Sequence, residues 1–287
     1  MFVILWSSGF VVAKLGLPYA EPATFLMLRF ALVVAILLPI CWLSRAPWPS
    51  PAGVLQMAIA GVLLQAGYLG GVFAAIHHGM AAGVSAVITG LQPLLTAVLA
   101  GWLLKERIGI RQWAGLTLGL AGVMLVIGER LFVAGTAGSA ILLGFLGLAG
   151  ITLGTLWQKR HGASVDLRTG AAIQFIAAAV VIAPFSIAFE SGSVVWSGEF
   201  LFALTWAVLV LSLGAIFLLL FLIRHGGAAQ VASLFYLVPP TTALMAWPLF
   251  GETYSLVSAA GMGLAMLAVW LVTQGPAEHS VHNRVRR

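Results

Sequence analysis

The stretch that decides the fold of this chain is 77–106, HHGMAAGVSAVITGLQPLLTAVLAGWLLKE. It carries no charged side chain between Gly79 and Leu104, and as one continuous helix this part would be ~39 Å long. Because the hydrocarbon core of a bilayer is about 30 Å thick, the stretch can cross it with some tilt. The sequence therefore predicts a transmembrane helix here.

A proline interrupts this helix near its middle. Pro93 has no N–H to donate to the carbonyl of Thr89, four residues earlier in the chain. Within lipid, such a free carbonyl is tolerated only where protein, water or a ligand satisfies it. The position of Pro93 therefore indicates a place where other groups complete the hydrogen bonding of the helix.

The same pattern occurs a second time in the chain. Matching residues recur at nearly constant offsets of 145 to 147 positions, and most of them are of types that are rare in so apolar a sequence. The pairs are Lys14 with Lys159, Glu21 with Asp166, Phe30 with Phe175, His78 with His225, Pro93 with Pro240, Glu106 with Glu252, and Gly115 with Gly261. Matches among Leu, Ala and Val arise easily by chance, but matches at Lys, His, Pro and Glu do not. We predict two homologous halves, 1–137 and 138–274, and a polar cytoplasmic tail, 275–287.

Composition determines the class of protein. Apolar residues make up 61% of the chain and charged residues 8%, whereas a soluble domain carries about a quarter charged residues. The mean hydropathy is +1.08. These values predict an all-α integral membrane protein. The single cysteine, Cys41, excludes an internal disulfide.

Ten apolar segments follow one another with short loops between them. They are roughly 1–15, 22–43, 53–76, 80–104, 110–128, 138–158, 168–188, 200–223, 228–250 and 255–274. If the N-terminus is cytoplasmic, the outside loops hold only Lys14 and Arg130, and the inside loops and tail hold eleven basic residues: Arg45, Lys105, Arg107, Arg111, Lys159, Arg160, Arg168, Arg224, Arg284, Arg286 and Arg287. The positive-inside rule then predicts that both termini are cytoplasmic.

Five crossings in each half have a topological consequence. Because five is odd, the second half enters the membrane from the opposite side, so the halves form an inverted repeat. This 5+5 arrangement is typical of secondary transporters, whose substrate site lies where the two repeats meet.

Four motifs resemble one known group of membrane proteins: LWSSGFVVAKLGL (5–17), FLMLRF (25–30), LQPLLTAVLAGWLLKERI (91–108) and GLTLGLAGVMLVIG (115–128). With ten helices in two halves, they resemble the drug/metabolite transporter (DMT) superfamily of EamA type, and most of all the bacterial YddG-type amino-acid exporters. The resemblance covers essentially the whole chain. It implies export of small metabolites, often amino acids, through a cavity between the halves of a protein in the bacterial inner membrane.

Several chemistries are disfavoured by what the segments lack. No Asp or Glu lies deep in any segment, so proton-coupled export of cationic drugs of the kind that uses a carboxylate in the first helix is not expected. The sequence contains no HExxH, GxSxG or nucleotide-binding motif, which argues against an enzyme and against ATP-driven transport by this chain. Nothing in it predicts a metal, a cofactor or a nucleic-acid partner.

The candidate substrate-binding residues are polar or aromatic side chains within the predicted helices. They suit a zwitterion, which brings both of its charges and needs no net charge from the protein. The set is Trp6, Ser7, Gln65, Tyr68, Phe73, Thr89, Gln92, Trp157, Ser212 and Tyr236. For Gln65 and Tyr68, three residues apart, a hydrogen bond between helices is an equally good interpretation.

Candidate gating residues lie at the predicted helix breaks and at one mouth of the bundle. They are Pro93, Pro239, Pro240, His77 and His78. The prolines are expected to kink their helices around a cavity and to free backbone carbonyls for a substrate ammonium. The histidines titrate near neutral pH, so either could carry a proton, or both could simply be wetted at the interface.

Arg29 is the charged residue that lies within a predicted helix, and it has two interpretations. It could bind a substrate carboxylate, or it could extend outward, either toward Glu21, about two helical turns away, or toward carbonyls at the helix end. The second, structural interpretation is favoured on sequence alone, and a pair with Glu21 is feasible.

Glycine rows on the fifth and tenth segments predict close helix packing. Gly115 and Gly119 form a small-xxx-small pair that Gly261 and Ala265 repeat. The pattern fits either a contact between the halves or a dimer surface.

The functional prediction is export of small zwitterionic metabolites, above all aromatic and other neutral amino acids, by alternating access. Export of other metabolites or drugs, and a facilitative or channel-like permease, remain the alternatives. The expected partners are the substrate and the lipid bilayer, and the pattern is compatible with a monomer.

Overall fold

The computed structural model describes residues 1–103, 110–133, 138–162, 164–216, 218 and 235–273, and these ranges are almost entirely helical. The helices, numbered in chain order, are α1 (Phe2–Gly16), α2 (Pro22–Leu43), α3 (Pro51–His77), α4 (Ala82–Thr89), α5 (Gln92–Leu103), α6 (Ile110–Val133), α7 (Gly138–His161), α8 (Leu167–Phe189), α9 (Gly198–Ala215), α10 (Val238–Phe250) and α11 (Leu256–Thr273). The predicted all-α class is confirmed for the described residues, whose only β feature is an isolated bridge between Ala20 and Val194.

Five of these helices are long and apolar enough to cross a membrane: α2, α3, α7, α8 and α9. Their outer faces carry large apolar side chains that are mostly exposed, for example Trp42, Ile187 and Phe189, each 79% exposed. A soluble protein would not leave so many such groups in water, whereas in a bilayer they contact lipid.

The stretch 80–104 forms two helices and not one. α4 ends at Thr89, a turn of Gly90 and Leu91 follows, and α5 begins at Gln92. Pro93 is therefore the second residue of α5, where its missing N–H removes no intrahelical hydrogen bond. The sequence predicts a kinked helix at this place, and in the structure the α-helical hydrogen bonding is interrupted for two residues, Gly90 and Leu91.

The second half starts a helix in the same way. A single 3₁₀ turn, Phe235–Leu237, leads into α10, whose second and third residues are Pro239 and Pro240. A Cβ atom built on Gly90 would lie 3.1 Å from Cγ of Pro239, so the break between α4 and α5 lies against the start of α10. The two proline sites thus meet inside the protein, where other groups shield their backbone from lipid.

Residues that the internal repeat makes equivalent contact each other across the bundle. The rings of Phe30 in α2 and Phe175 in α8 lie 5.7 Å apart. Between α6 and α11, Gly119 lies against Ala268 and Gly122 lies against Ala265, and a shift of 146 residues exchanges these two contacts. The glycine rows therefore pack α6 of the first half against α11 of the second half inside one chain.

The backbones of α6 and α11 come very close where the two helices cross. A Cβ atom on Gly261 would lie only 2.7 Å from the carbonyl oxygen of Gly122, which cannot move without distorting its helix. Gly263, two residues further along α11, has open space where its Cβ would be. This pair of glycines provides a matched test of the packing.

We expect Gly261→Ala to lower the free energy of unfolding by about 1–3 kcal/mol, because its methyl group forces the two backbones apart. Gly263→Ala should leave the free energy of unfolding unchanged or raise it by up to about 1 kcal/mol, because alanine has a higher helix propensity than glycine. Unfolding in detergent, followed by circular dichroism, measures both. Equal effects of the two substitutions would contradict the described α6–α11 contact.

Candidate functional site

Two helices widen at equivalent positions in the two halves. Val62–Leu69 of α3 and Trp206–Ala215 of α9 have π-helical hydrogen bonding, in which the bond spans five residues instead of four. Gln65 and Tyr68 lie in the first of these segments and Ser212 in the second, and all three are buried. Such segments are rare and are often found at functional sites.

Arg29 of α2 lies against these widened turns. Its side chain is buried, with 3% of the residue exposed, and its Nε donates a hydrogen bond of 2.9 Å to Oγ of Ser212. It is also close enough to Tyr68 for the two groups to interact electrostatically. Ser212 in turn donates to the carbonyl of Ala207, so the widened turn of α9 fixes the orientation of the hydroxyl.

No carboxylate in the described part of the chain lies within 4 Å of Arg29. Glu21 accepts hydrogen bonds from the backbone N–H and the hydroxyl of Ser191, and these two bonds lower the pKa of Glu21. The structural interpretation favoured on sequence, in which Arg29 extends outward toward Glu21 or the helix end, is therefore wrong. Arg29 belongs to the buried polar site, and its charge in an apolar segment was the signal for this.

Aromatic rings surround the site on the side of α1. Trp6 packs against Phe2 and Phe235, with ring centres 5.5 and 5.4 Å away, and its side chain reaches the Tyr68 hydroxyl. Ser7, the next residue, donates a hydrogen bond of 3.3 Å to the carbonyl of Val238, the first residue of α10. The structure thus brings together four of the predicted residues, which are Trp6, Ser7, Tyr68 and Ser212.

Thr89 and Gln92 lie on either side of the break between α4 and α5. The Gln92 amide donates to Oγ1 of Thr155 in α7 at 3.2 Å, and Thr89 donates back to the carbonyl of Ser85 at 2.9 Å. Both side chains are buried. Their hydrogen bonds go to α7 and to the backbone of α4, and neither is made with Arg29 or with Ser212, its hydrogen-bond partner.

The remaining predicted residues lie in other surroundings. Phe73 packs in the core against Phe25, and the Trp157 indole donates to the carbonyl of Gln56 near the start of α3. His77 and His78 are exposed at the end of α3, where Nδ1 of His78 lies 2.9 Å from the carbonyl of Ala74. The side chain of Tyr236 lies outside the described residues.

An ion pair that the sequence did not predict joins the two halves near His78. Glu252, between α10 and α11, accepts hydrogen bonds from Lys14 of α1, from the Tyr254 hydroxyl and, at 3.0 Å, from the N–H of Ala82. The carboxylate is 7% exposed. Burial alone would raise the pKa of Glu252, but the three hydrogen bonds and the Lys14 charge together hold it below its ordinary value of 4.5.

The clefts on the lipid-facing surface are separate from Arg29. One of about 520 Å³ lies between α10 and α11 and has Trp247 in its wall, and one of about 300 Å³ lies on α9 beside Trp206. Their walls are mainly apolar, which suits lipid chains better than a zwitterion. Arg29, Tyr68 and Ser212 are buried and line neither of these clefts.

A helix that is broken in the interior of the bundle, beside a buried polar site, is a feature of secondary transporters. The chain belongs to the EamA-like transporter family, whose model matches residues 1–128 and again residues 138–274. The protein is therefore a membrane transporter and not an enzyme.

Relatives from several organisms support this assignment. The chain is 31% identical over 278 residues to the uncharacterized inner membrane transporter YedA of Escherichia coli, covering 95% of this chain and 88% of the relative. It is 25% identical to a probable amino-acid metabolite efflux pump of Salmonella typhimurium, covering 94% of this chain and 92% of the relative. Together with the apolar helices, these matches indicate a multi-pass inner-membrane protein.

A crystal structure among the solved proteins shares the fold. Its TM-score is 0.66 at 22% sequence identity, and the match covers 95% of this chain and 93% of the other chain. At this identity the likeness establishes the fold alone.

The Glu252 ion pair should make stability depend on pH. The pKa of Glu252 is lower in the folded protein than in the unfolded chain. The stabilisation that the Glu252 carboxylate gives the fold is therefore fully present above pH 4.5, and it is lost as the pH falls through the pKa of the folded state. We expect Glu252→Gln to lower the free energy of unfolding at pH 7 by about 1–3 kcal/mol. The free energy of unfolding of this variant should also decrease less steeply than that of the wild type as the pH is lowered.

Asp166→Asn is the matched control, since Asp166 pairs with Arg168 at the half-buried start of α8, within a single helix end, and asparagine keeps the helix cap. Pairs near the surface contribute about 0–1 kcal/mol. Equilibrium unfolding between pH 3 and 8 measures both variants. A Glu252→Gln profile that coincides with that of the wild type at every pH would show that the pair contributes nothing.

Proposed function

We propose that this transporter exports small zwitterionic metabolites, chiefly aromatic and other neutral amino acids, from the cytoplasm by alternating access. The observation that carries the proposal is the contact between the two proline sites, Gly90 against Pro239, beside a buried polar site shared by both halves. The Salmonella relative, whose name is that of an amino-acid metabolite efflux pump, points to the same class of substrate.

The proposal includes a 5+5 inverted repeat of ten transmembrane helices, with the halves 1–137 and 138–274 and with both termini and the tail 275–287 in the cytoplasm. The contacts between equivalent residues support it, because a pseudo-two-fold axis between the halves brings such residues together. Hydrogen bonds at the helix ends support it too. Glu190 binds the start of α2 at one end of the bundle, and Thr169 binds the carbonyl of Pro47 at the other.

In this mechanism the halves rock about the substrate site. α4–α5 in the first half and α10 with the segment before it in the second half are the elements that bend. The Lys14–Glu252 ion pair and the hydrogen bonds that Glu21 accepts from Ser191 and Glu190 accepts from Thr24 close one end of the bundle. Opening that end requires these bonds to break, so they favour the conformation that is closed there.

Facilitative transport without a coupling ion is the second candidate. The acidic residues of the described ranges lie at or near helix ends: Glu21, Glu129, Asp166, Glu190, Glu199 and Glu252. The middle of the described helices therefore offers no carboxylate to carry a proton, and His77, His78 and His161 are the histidines in the described ranges that could carry one.

Transport by the purified protein in liposomes tests the function directly. We expect saturable uptake of labelled phenylalanine, methionine and threonine without a pH gradient, and much weaker uptake of glutamate, whose second carboxylate adds net charge. Acceleration by a pH gradient that is lost in a His77→Gln, His78→Gln variant would establish proton coupling. Absence of uptake for every amino acid would overturn the proposed substrate class.

The proline sites should control the rate of transport. We expect the Pro93→Ala, Pro240→Ala double variant to transport at least several-fold more slowly, because an added N–H allows the helix to extend across the break. Pro39→Ala is the control, since Pro39 lies inside α2 on an exposed face. A double variant that folds and transports at the wild-type rate would show that the breaks do not take part in the movement.

A further inference from the structure

Arg29 holds a buried charge that the protein does not neutralise. An arginine within a membrane helix costs several kcal/mol unless an acidic group or a dense set of acceptors compensates it. In the described structure Arg29 has one hydrogen bond, from Nε to Ser212, while Nη1 and Nη2 donate to no described group. The terminal edge of the guanidinium is therefore free to bind an anion.

Packing alone does not require an arginine at this place. The equivalent residue of the second half is Gln174 in α8, a neutral side chain that donates to Oε1 of Gln158 at 2.9 Å. A glutamine thus fits the same position of the same helix in the other repeat. The charge of Arg29 is specific to the first half, on the side where Trp6 and Tyr68 lie.

We infer that Arg29 binds the carboxylate of the transported molecule, an inference that rests on the proposed function and names the chemistry of its substrate. Nη1 and Nη2 form a planar fork that matches the two oxygens of one carboxylate. Ser212 occupies Nε and holds the fork in one orientation.

The surroundings of the guanidinium define the rest of the substrate. The rings of Phe2, Trp6 and Phe235 form an apolar surface that begins at Tyr68, next to Arg29, and suits an aromatic or aliphatic side chain. A single carboxylate neutralises Arg29, whereas a second one would bring an uncompensated charge into the site.

Competition experiments on the wild-type protein test the inference without any mutation. Unlabelled phenylalanine should compete with labelled phenylalanine for uptake into proteoliposomes, and L-phenylalaninamide and phenethylamine, which lack the carboxylate, should compete about 10- to 100-fold more weakly. Equal competition by all three compounds would overturn the inference while leaving amino-acid transport established.

Arg29→Gln tests the residue itself. We expect uptake of phenylalanine to fall about 10- to 100-fold, with loss of the preference for phenylalanine over its amide. The melting temperature of the ligand-free variant should be unchanged or higher, because an uncompensated buried charge has been removed. A purely structural arginine would give the opposite result, a lower melting temperature with the preference for a carboxylate retained.

Two further variants complete the test. Arg29→Lys keeps the charge without the fork and should recover part of the uptake. Arg168→Gln removes an arginine that is paired with Asp166 at the half-buried start of α8, and its uptake should equal that of the wild type.

The inference can also be separated from the proposed function. If the wild type takes up no amino acid, the melting temperature is measured with 3-phenylpropionate, a carboxylate without an amino group, and with its amide. Stabilisation by the carboxylate alone that disappears in Arg29→Gln would support the site and replace the substrate class. Absence of that stabilisation would overturn both.

Discussion

The constraint on which this structure depends is that lipid offers no hydrogen bonds, so every break in a helix must be completed by the protein itself. The described residues contain one such break, before Pro93, and it packs in the interior against Pro239 at the start of α10. The widened turns of α3 and α9 are likewise turned toward the interior, where Gln65, Tyr68 and Ser212 are buried. Irregular backbone is thus concentrated in one region, and the same region contains the polar site.

This concentration explains how a chain with 8% charged residues builds a polar site. Arg29 contributes a positive charge, and the described residues give it one hydroxyl and no carboxylate. The arrangement costs stability in the empty protein, and a substrate carboxylate would recover that cost on binding. By contrast, Lys14 and Glu252 neutralise each other at the end of the bundle, with three donors around one carboxylate. The described residues therefore compensate charge at the Lys14–Glu252 pair and leave it uncompensated at Arg29, where the proposed substrate binds.

Much of the fold could be predicted from the sequence, because hydropathy and the internal repeat are properties of the chain alone. The membrane helices α2, α3, α7, α8 and α9 lie within two or three residues of their predicted bounds at most of their described ends, and the glycine rows do lie at close helix contacts. The site was harder to predict. Nearness in sequence favours Glu21 or carbonyls at the helix end as partners of Arg29, whereas Ser212 and Tyr68 interact with it from two other helices. Phe73 and Trp157 have the right chemistry for a site, but their neighbours, Phe25 and Gln56, could not be read from spacing.

The central claim is that substrate crosses by alternation of the two halves around one buried site, and counterflow tests it most directly. Proteoliposomes are loaded with unlabelled phenylalanine and diluted into a trace of labelled phenylalanine. A carrier whose site faces one side at a time exchanges internal for external substrate, so we expect the internal label to rise transiently above its equilibrium value. A steady approach to equilibrium at a rate independent of the internal phenylalanine would indicate an open pore and contradict the account.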